Sequence, residues 1–328
     1  MIKYESSLFR VYDYSPQQLS DLQSDLVREY NQNYDQQLIP LIDAICLCGS
    51  EHFATIALYD TYGLKQPTVL CCSCGLMQSN PRPTEEWMAN FYESNTYHSL
   101  YVDHHSQSDH AIHTSGPLEI FDCIATHLSI DSSLSVLEVG SYQGNNLRPF
   151  REAGANVQGV EPSRDAVRTA NAKGIPTIPG NIHSVRGKFD VIILNHVLEH
   201  LHDPIAGLKH LRLRLSKHGL IYIAVPNILI FSGPQIQNAH IYYFTPKQFE
   251  YYCNCSGLTM IAGGETQYRH SYGVFSPSSY PQQLTTPRSS GLQIRLRIIR
   301  HRLRGLIVRI VRGLRLLPII DTIRSGPR

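Results

Sequence analysis

The sequence predicts an α/β protein with a doubly wound, mostly parallel central sheet. From Leu134 onward, short apolar segments alternate with segments of helical periodicity, at the spacing that βαβ units show. The segment 191–194 contains only apolar residues, which is typical of a strand buried on both faces of a parallel sheet. A chain of 328 residues with 42% hydrophobic and 17% charged residues is long enough to bury one such core beside a small second unit.

The individual elements follow from the same periodicities and from turn and cap residues. Ser15-Pro16, ahead of leucines at helical spacing, predicts the capped start of an N-terminal helix. In the α/β part, strands are predicted at 135–139, 155–160, 191–194 and 220–225, and helices at 145–152, 164–172 and 198–215.

Shifts in composition divide the chain into six predicted segments. They are an N-terminal helical segment (1–40), a small cysteine-bearing domain (41–83), a linker or lid (84–119), the α/β domain (120–265), a second linker (266–290) and a C-terminal helical tail (291–328). The start of the chain lacks the pattern of a secretory signal, and no apolar run approaches the roughly 18 residues that a membrane span needs. We therefore expect a cytoplasmic protein.

A glycine-containing turn after the first α/β strand is the clearest ligand-binding signal. The strand ends near Glu138, and the turn that follows contains Gly140 and Gly144 ahead of a predicted helix. Glycine lets a ligand approach the backbone closely, and a helix start offers free N–H groups. Glu161 ends the next strand, where an acidic side chain can bind ribose hydroxyls. A nucleotide-type ligand is predicted, and a turn without a ligand is the alternative. The patterns G-x-G-x-x-G and G-x-x-x-x-G-K-[ST] are absent from the sequence, which disfavours a dinucleotide or a phosphate-binding loop.

These residues resemble the E/D-x-G-x-G-x-G motif of class I S-adenosylmethionine-dependent methyltransferases, which have a Rossmann-like fold. Tyr142 stands where the motif has its middle glycine, and segments 189–201 and 219–227 resemble later segments of the same family. The resemblance implies S-adenosylmethionine as cofactor, with Glu138 and Gly140 beside its methionine moiety, Glu161 at its ribose and Asn181 at its adenine. The cofactor-binding residues that it implies are Glu138, Gly140, Gly144, Glu161, Asn181, Asn195 and His196.

Four cysteines have the spacing of a metal site. Cys46 and Cys48 form one pair, and Cys71 and Cys74 form a second pair of C-x-x-C type. Four thiolates can close a structural zinc site in a segment too small to have its own core. Unpaired buried thiols are the alternative interpretation. Cysteines in a chain without a secretory signal favour a metal over a disulfide framework.

The cysteine segment also resembles the N-terminal zinc-binding domain of sugar and surface-polysaccharide methyltransferases. The matching residues are 48–50, 71–76 and 80–83. This resemblance implies a small zinc-ribbon-like domain and an acceptor that is a sugar, a nucleotide sugar or a sugar-linked intermediate. Cys253 and Cys255 fall outside this pattern and are interpreted as packing residues.

His240 is the predicted catalytic residue, because an imidazole can accept a proton near neutral pH. The segment 240–245 resembles one in sugar methyltransferases whose histidine is a proposed base. The C-methylating members have Tyr-x-Glu before that histidine, whereas this chain has 237–239 as Gln-Asn-Ala, which favours O-methylation. An exposed loop histidine is the alternative. His196 and His200 are expected on one helix face, where a metal pair is conceivable but a structural role is favoured.

The charge of the chain is strongly uneven. Residues up to Glu265 carry a formal charge of −9, and the remaining residues carry +11, which sum to +2. Apolar residues in the tail recur at helical spacing with arginines between them, which is typical of an interfacial helix. We expect residues 291–317 to bind an anionic membrane surface, so that the protein would be peripheral at the inner membrane face. Packing on the body is the alternative, and nucleic acid is the least favoured partner.

Together, these patterns predict methyl transfer from S-adenosylmethionine to a sugar or sugar-linked intermediate of surface polysaccharide. A nucleic-acid methyltransferase is one alternative, although 195–198 lacks the N/D-P-P-aromatic segment of amino-methylating enzymes. A non-catalytic binding module stabilised by its metal is the other.

Overall fold

The computed structural model describes residues 3–5, 19–97, 99–100, 116–230, 236–278, 287, 294 and 296. This part of the chain contains a five-stranded and a seven-stranded sheet. The helices are α1 (Asp21–Asp35), α2 (Glu85–Tyr92), α3 (Asn95–Tyr97), α4 (Gly116–Ala125), α5 (Arg148–Glu152), α6 (Arg164–Ala172), α7 (Pro204–Arg212) and α8 (Pro246–Cys255). Single 3-10 turns lie at Ile182–Ser184, Leu198–His200 and Ile228–Ile230.

The five-stranded sheet belongs mainly to the N-terminal part of the chain. Its strands, in spatial order, are β1 (Lys3–Glu5), β3 (His52–Tyr59), β4 (Lys65–Cys71), β5 (Met77–Ser79) and β12 (Tyr242–Tyr243). A separate pair is formed by β2 (Leu41–Ile42) and β6 (Arg82–Pro83). Since β12 comes from far along the chain and pairs antiparallel with β5, the α/β part contributes one edge of the N-terminal sheet.

The seven-stranded sheet confirms the predicted mostly parallel α/β fold. Its strands are β7 (Ser135–Val139), β8 (Asn156–Glu161), β9 (Thr177–Pro179), β10 (Phe189–Asn195), β11 (Leu215–Val225), β13 (Leu258–Glu265) and β14 (Ser271–Pro277). The spatial order is β13-β14-β11-β10-β7-β8-β9, and the five strands from β11 to β9 are parallel. Chain order reverses between β7 and β10, which makes that edge the switch point where doubly wound sheets bind ligands.

Several predicted boundaries are corrected by the structure. The helix that contains Leu22 and Leu26 begins at Asp21, because Ser20 and Gln23 form a reciprocal capping box. Ser15 and Pro16, the predicted start, lie outside the described residues. Of the helix predicted at 145–152, only the last part, α5 (Arg148–Glu152), is α-helical. The predicted helix 198–215 is divided into a 3-10 turn and α7, since Pro204 occupies the first turn of a new helix capped by Asp203. Leu215 already belongs to β11.

The predicted linker 266–290 is wrong in its first half. Residues 271–277 form β14, which lies between β11 and β13 and is antiparallel to both. Val274 and Phe275 on this strand are fully buried, so the hairpin covers the sheet edge next to β11.

The N-terminal part and the α/β domain share one hydrophobic core. Cys46, Cys71 and Cys74 belong to the same buried cluster as Leu198 and Ile223. Because this core is continuous, the cysteine-bearing segment packs directly on the α/β domain.

The predicted basic tail lies outside the described residues, apart from Ile294 and Leu296. Ile294 is buried with Ile228, Ile236 and Tyr243, whereas Leu296 is exposed. The tail helix and its membrane contact therefore stay predictions. Among the described residues, no helix combines the length and apolarity that crossing a bilayer requires.

Candidate functional site

Two positions of the turn after β7 have a backbone shape and surroundings that favour glycine. Gly140 and Gly144 have φ values of +68° and +76°, and a Cβ at either position would lie 2.7 Å from a methyl group of Val197 or Ile175. Tyr142, at the position of the missing glycine, also has a positive φ of 46°. Its side chain is exposed, so the aromatic ring leaves the interior of the turn free.

Two buried carboxylates lie at the carboxyl ends of β7 and β8. Glu138 is 1% exposed, and its Oε1 accepts a hydrogen bond of 2.6 Å from Asn146 Nδ2. Its Oε2 has no hydrogen-bond partner among the described residues. Glu161 accepts hydrogen bonds of 2.9 Å from the backbone N–H groups of Tyr142 and Ser163. The turn and both acids therefore form one polar edge of the sheet.

Burial raises the pKa of both acids. Desolvation raises the pKa of Glu138 to about 8, and the nearby charge of Glu161 adds to this effect. Desolvation also raises the pKa of Glu161, although its two backbone hydrogen bonds oppose the increase. Such a site accommodates a ligand that donates hydrogen bonds or carries positive charge.

The cost of burying the Glu138 carboxylate can be measured as a change in the free energy of unfolding when Glu138 is replaced by Gln. In the folded ligand-free chain its pKa is raised from 4.5 to about 8, so unfolding releases a proton at pH values between these two. The cost of burying Glu138 therefore grows as the pH rises through this window and is constant above it. We expect Glu138→Gln to raise the free energy of unfolding above about pH 8 by on the order of a few kcal/mol, and near pH 5 by much less. Thermal unfolding at both pH values measures the difference, with Glu152→Gln, on an exposed surface, as the control. Equal stabilisation at both pH values would contradict it.

Of the other predicted cofactor residues, Asn195 and His196 follow β10, whereas Asn181 lies on the surface. Asn195 ends β10 and is half-buried, and His196 follows it with φ of 57°. The register of β10 with β7 and of β7 with β8 brings Asn195 to the same sheet edge as the two acids. Asn181 is exposed and caps the 3-10 turn at Ile182–Ser184, where its side chain accepts a hydrogen bond from His183 N. Its proposed adenine contact stays a prediction.

A buried carboxylate that the sequence analysis did not identify organises the histidines beside this edge. Glu199 is 1% exposed, and its Oε1 lies 3.3 Å from His196 Nδ1 and 4.0 Å from His200 Nε2. Burial alone would raise the pKa of Glu199, but the hydrogen bond with His196 and the charges of His200 and His240 hold it at about 2. His196 is not on a helix with His200, because only Leu198–His200 forms a 3-10 turn.

His240 is buried rather than exposed. The residue is 8% exposed, and its ring centroid lies 4.9 Å from that of His200. The His200 Nδ1 lies 2.7 Å from the backbone oxygen of Ala239, next to His240. The chain therefore brings His200 and His240 together with Glu199, and their side-chain ligand atoms all lie within 4.8 Å of one another.

Aromatic residues from the predicted lid border the same region. The Tyr92 hydroxyl lies 3.4 Å from His200 Nδ1, and its ring contacts Tyr97 edge to face. Burial raises the pKa of Tyr97 to about 12, and the charges of Glu161 and Tyr142 contribute. Tyr97 thus lies near the turn after β7. The sequence indicated these aromatic contacts only through the Tyr-rich and His-rich composition of the chain around residue 95.

The four predicted metal ligands lie together at the base of the N-terminal sheet. The Sγ atoms of Cys46 and Cys74 are 3.5 Å apart, and those of Cys48 and Cys71 are 3.7 Å apart. All four lie within 4.8 Å of one another. A tetrahedral ion with Zn–S bonds of about 2.3 Å would separate its sulfurs by about 3.8 Å, so the thiols fit zinc without a large rearrangement.

The surroundings of the thiols support the same interpretation. Hydrogen bonds among the thiols lower the pKa of Cys71 and raise the pKa of Cys46, so the four sulfurs behave as one interacting group. On the α/β side, Tyr252 contacts Cys74 Sγ at 3.6 Å, and Gln248 Nε2 donates to Cys74 O. Cys253 is fully buried in the shared core, whereas Cys255 is half-buried. The cysteine site thus contacts α8 directly.

Comparison with known proteins gives a partial match. Residues 116–262 match the family model described as a methyltransferase domain. The C-methyltransferase NovU from Streptomyces niveus is 28% identical over 124 residues, which are 34% of this chain and 28% of that protein. The mitochondrial ubiquinone biosynthesis O-methyltransferase of Saccharomyces cerevisiae is 31% identical over 122 residues, 33% of this chain and 39% of that protein. The chain thus spans well under half the length of these curated relatives.

Among solved structures, the chain is similar to the 1,6-didemethyltoxoflavin-N1-methyltransferase of Burkholderia thailandensis. The identity is 16%, the TM-score is 0.49, and the match covers 62% of this chain and 96% of the other.

Proposed function

We propose that this chain, which contains a methyltransferase domain over residues 116–262, transfers a methyl group from S-adenosylmethionine to a hydroxyl group of a sugar or sugar-linked intermediate. The observation that carries the proposal is the polar sheet edge formed by Glu138, Glu161 and the glycine turn, which lies inside the matched residues.

The residues at this edge fit S-adenosylmethionine. Glu161 would bind the ribose hydroxyls, because a carboxylate at the end of this strand can accept hydrogen bonds from both. The unpartnered Oε2 of Glu138 would accept a hydrogen bond from the methionine end. Gly140, with its positive φ and with Val197 packed where a Cβ would stand, holds the backbone of the turn in the shape that faces this edge. When bound, the cofactor supplies an electrophilic methyl group on a sulfonium.

On the acceptor side, we assign the removal of the hydroxyl proton to His240. A histidine that is largely buried beside Glu199 and His200 is shielded from bulk water yet has polar neighbours. Such an imidazole can take a proton from a hydroxyl as the oxygen bonds to the methyl carbon. Tyr92, Tyr97 and His200 would form the wall against which the acceptor packs.

Methylation of oxygen rather than carbon rests on this chain's own residues. One relative is named as a C-methyltransferase and the other as an O-methyltransferase, so the relatives do not decide the atom. Before His240, the chain has Gln237, Asn238 and Ala239. The side chain of Asn238 donates to Tyr30, and Ala239 contributes only its carbonyl to His200. None of these three residues is acidic, so the segment before His240 lacks the glutamate that the C-methylating pattern has there.

Replacement of His240 by Asn is expected to slow methyl transfer by roughly 100-fold or more, because proton removal loses its base. Binding of S-adenosylmethionine should change by less than about twofold, since His240 is not among the proposed cofactor residues. Mass spectrometry of products from a panel of nucleotide sugars measures the rate, and calorimetry measures cofactor binding. His218→Asn, at an exposed position of β11, is the matched control. Equal rates for His240→Asn and wild type would exclude the assigned role.

The four-cysteine site is proposed to hold Zn²⁺ as a structural ion. The sulfur separations support this, as does the contact of Cys74 with Tyr252 and Gln248. The ion would link the two cysteine loops to α8 and would have no part in the chemical step.

A further inference from the structure

We propose that Glu199, His200 and His240 form a second metal site, which binds a first-row divalent cation beside the cofactor edge. The existence of the site is independent of the proposed function. Its use, which is to bind the hydroxyl groups of the acceptor, rests on that function.

The three side chains present a suitable donor set in a compact arrangement. One carboxylate oxygen and one nitrogen from each imidazole lie within 4.8 Å of one another. Metal–ligand bonds of about 2.0–2.2 Å would draw these atoms to roughly 3–3.5 Å apart, which rotations of the side chains can supply. Two imidazoles and one carboxylate favour first-row transition ions and leave coordination positions open for another ligand.

The hydrogen bonding of His200 directs its other nitrogen toward the site. Nδ1 lies 2.7 Å from the backbone oxygen of Ala239, a separation at which Nδ1 must carry the proton and donate it. Nε2 then has its lone pair free and is the atom that faces Glu199, at 4.0 Å from Oε1. An imidazole that donates one N–H to a backbone carbonyl and uses its other nitrogen as ligand is the usual arrangement in metal sites.

One of the two carboxylate oxygens of Glu199 has no hydrogen-bond partner among the described residues. This oxygen, Oε2, is buried, and Oε1 contacts histidines, at 3.3 Å and 4.0 Å. Burial of a carboxylate is costly unless it is paired or coordinates a metal. A cation between Glu199 and the two histidines would supply the missing interaction.

The backbone holds the ligand-bearing segments together without the ion. The backbone N–H of Ile241, next to His240, donates to the Glu199 carbonyl at 2.8 Å. The His240 carbonyl accepts a hydrogen bond of 3.1 Å from Gln66. The site is thus largely formed before binding, so little ordering free energy opposes the cation.

A cation at this position would change how the acceptor loses its proton. Neighbouring hydroxyl groups of a sugar could occupy the open coordination positions, and coordination lowers the pKa of a bound hydroxyl. The proton would leave to water, the oxygen would bond to the methyl carbon as the sulfur–carbon bond breaks, and the electron pair would stay on sulfur. The base role proposed for His240 belongs to the cation-free protein. With the cation bound, the ligating nitrogen of His240 holds the cation, and coordination of the hydroxyl promotes its deprotonation instead.

Titration of the full chain with Co²⁺, after dialysis that removes weakly held ions and leaves the cysteine site filled, tests the proposal. Co²⁺ bound to the cysteines gives thiolate-to-cobalt charge-transfer absorption, whereas Co²⁺ bound to nitrogen and oxygen gives only d–d absorption. We expect wild type to bind one equivalent with d–d absorption alone, in addition to any bound by the cysteines. Glu199→Gln and His240→Asn should each weaken that binding by roughly tenfold or more and leave the charge-transfer absorption unchanged. His218→Asn is the matched control and should behave as wild type.

Two results would overturn the proposal: absence of the second class of Co²⁺ binding in wild type up to roughly millimolar concentration, or equal affinity in wild type and Glu199→Gln. Thermal unfolding of each variant separates loss of a ligand from loss of the fold, and His200→Asn provides a second ligand variant. Calorimetry with S-adenosylmethionine distinguishes failure of the metal site from failure of the proposed function. If the cofactor binds but the second class of Co²⁺ binding is absent, only the metal site is rejected. If that Co²⁺ binding is present but the cofactor does not bind, only the proposed function is rejected.

Discussion

Replacement of Cys74 by Ala is expected to abolish binding of the zinc proposed for the four-cysteine site and to lower the unfolding midpoint by about 10 °C or more. Structural zinc sites contribute roughly 10–16 kcal/mol of apparent binding free energy, which is comparable with the whole stability of a domain. Cys74 lies 3.5 Å from Cys46 and contacts Tyr252 on α8. Loss of this ligand therefore loosens the two cysteine loops and their attachment to the α/β domain together.

The same change should also abolish methyl transfer, although the cysteines are not part of the proposed acceptor site. β5 pairs with β12, and β12 directly follows His240 and Ile241. Disorder in the N-terminal sheet would thus release His240 from its position. Elemental analysis, thermal unfolding and product formation measure the three effects. Cys72→Ala, at the exposed cysteine between two ligands, is the control and should retain zinc. A Cys74→Ala protein with one bound zinc and an unchanged midpoint would refute the metal assignment.

Replacement of Glu161 by Ala is expected to weaken S-adenosylmethionine binding by roughly 30-fold or more. Each hydrogen bond from a ribose hydroxyl to a carboxylate contributes roughly 1.5–3 kcal/mol. The carboxylate also accepts the backbone N–H groups of Tyr142 and Ser163 at 2.9 Å, so its removal would relax the glycine turn as well. Both effects reduce affinity for the cofactor.

Calorimetry with S-adenosylmethionine measures this loss directly. Glu161→Gln keeps the shape and one acceptor oxygen, and an intermediate affinity would assign the remainder to charge. Glu152→Ala, on the exposed face of α5 where it pairs with Arg148 at 3.7 Å, should bind as wild type. Equal affinity in Glu161→Ala, or no binding heat for the wild type, would reject the proposed cofactor site.

Much of the α/β domain could be predicted because its elements depend on local sequence. The helix at Arg164–Ala172 begins and ends as predicted, since Ser163 caps it and its apolar residues recur on one face. The β7 strand and the turn with Gly140 and Gly144 also follow from neighbouring residues. The β14 strand could not be recognised in this way, because its burial depends on pairing with β11 and β13.

The residues of the proposed acceptor site show more clearly what sequence patterns cannot predict. Sequence patterns identified His240 but gave no reason to place it beside Glu199, and they placed His196 and His200 on one helix that does not exist. Tyr92 and Tyr97 belong to a segment that composition describes only as a linker or lid. Their contacts with His200, and the proximity of Tyr97 to Glu161, arise from packing between segments far apart in the chain.

The sequence by itself determined the parallel sheet, the glycine turn with its two acids, and the spacing of the four cysteines. These features depend on hydrophobic periodicity, on backbone conformations that favour glycine, and on ligand spacing, all of which involve residues close in the chain. Only the tertiary structure decided that β12 completes the N-terminal sheet and that Glu199, His200 and His240 share one site. The physical reason is that such contacts depend on which surfaces become buried against each other, and local periodicity carries no information about that choice.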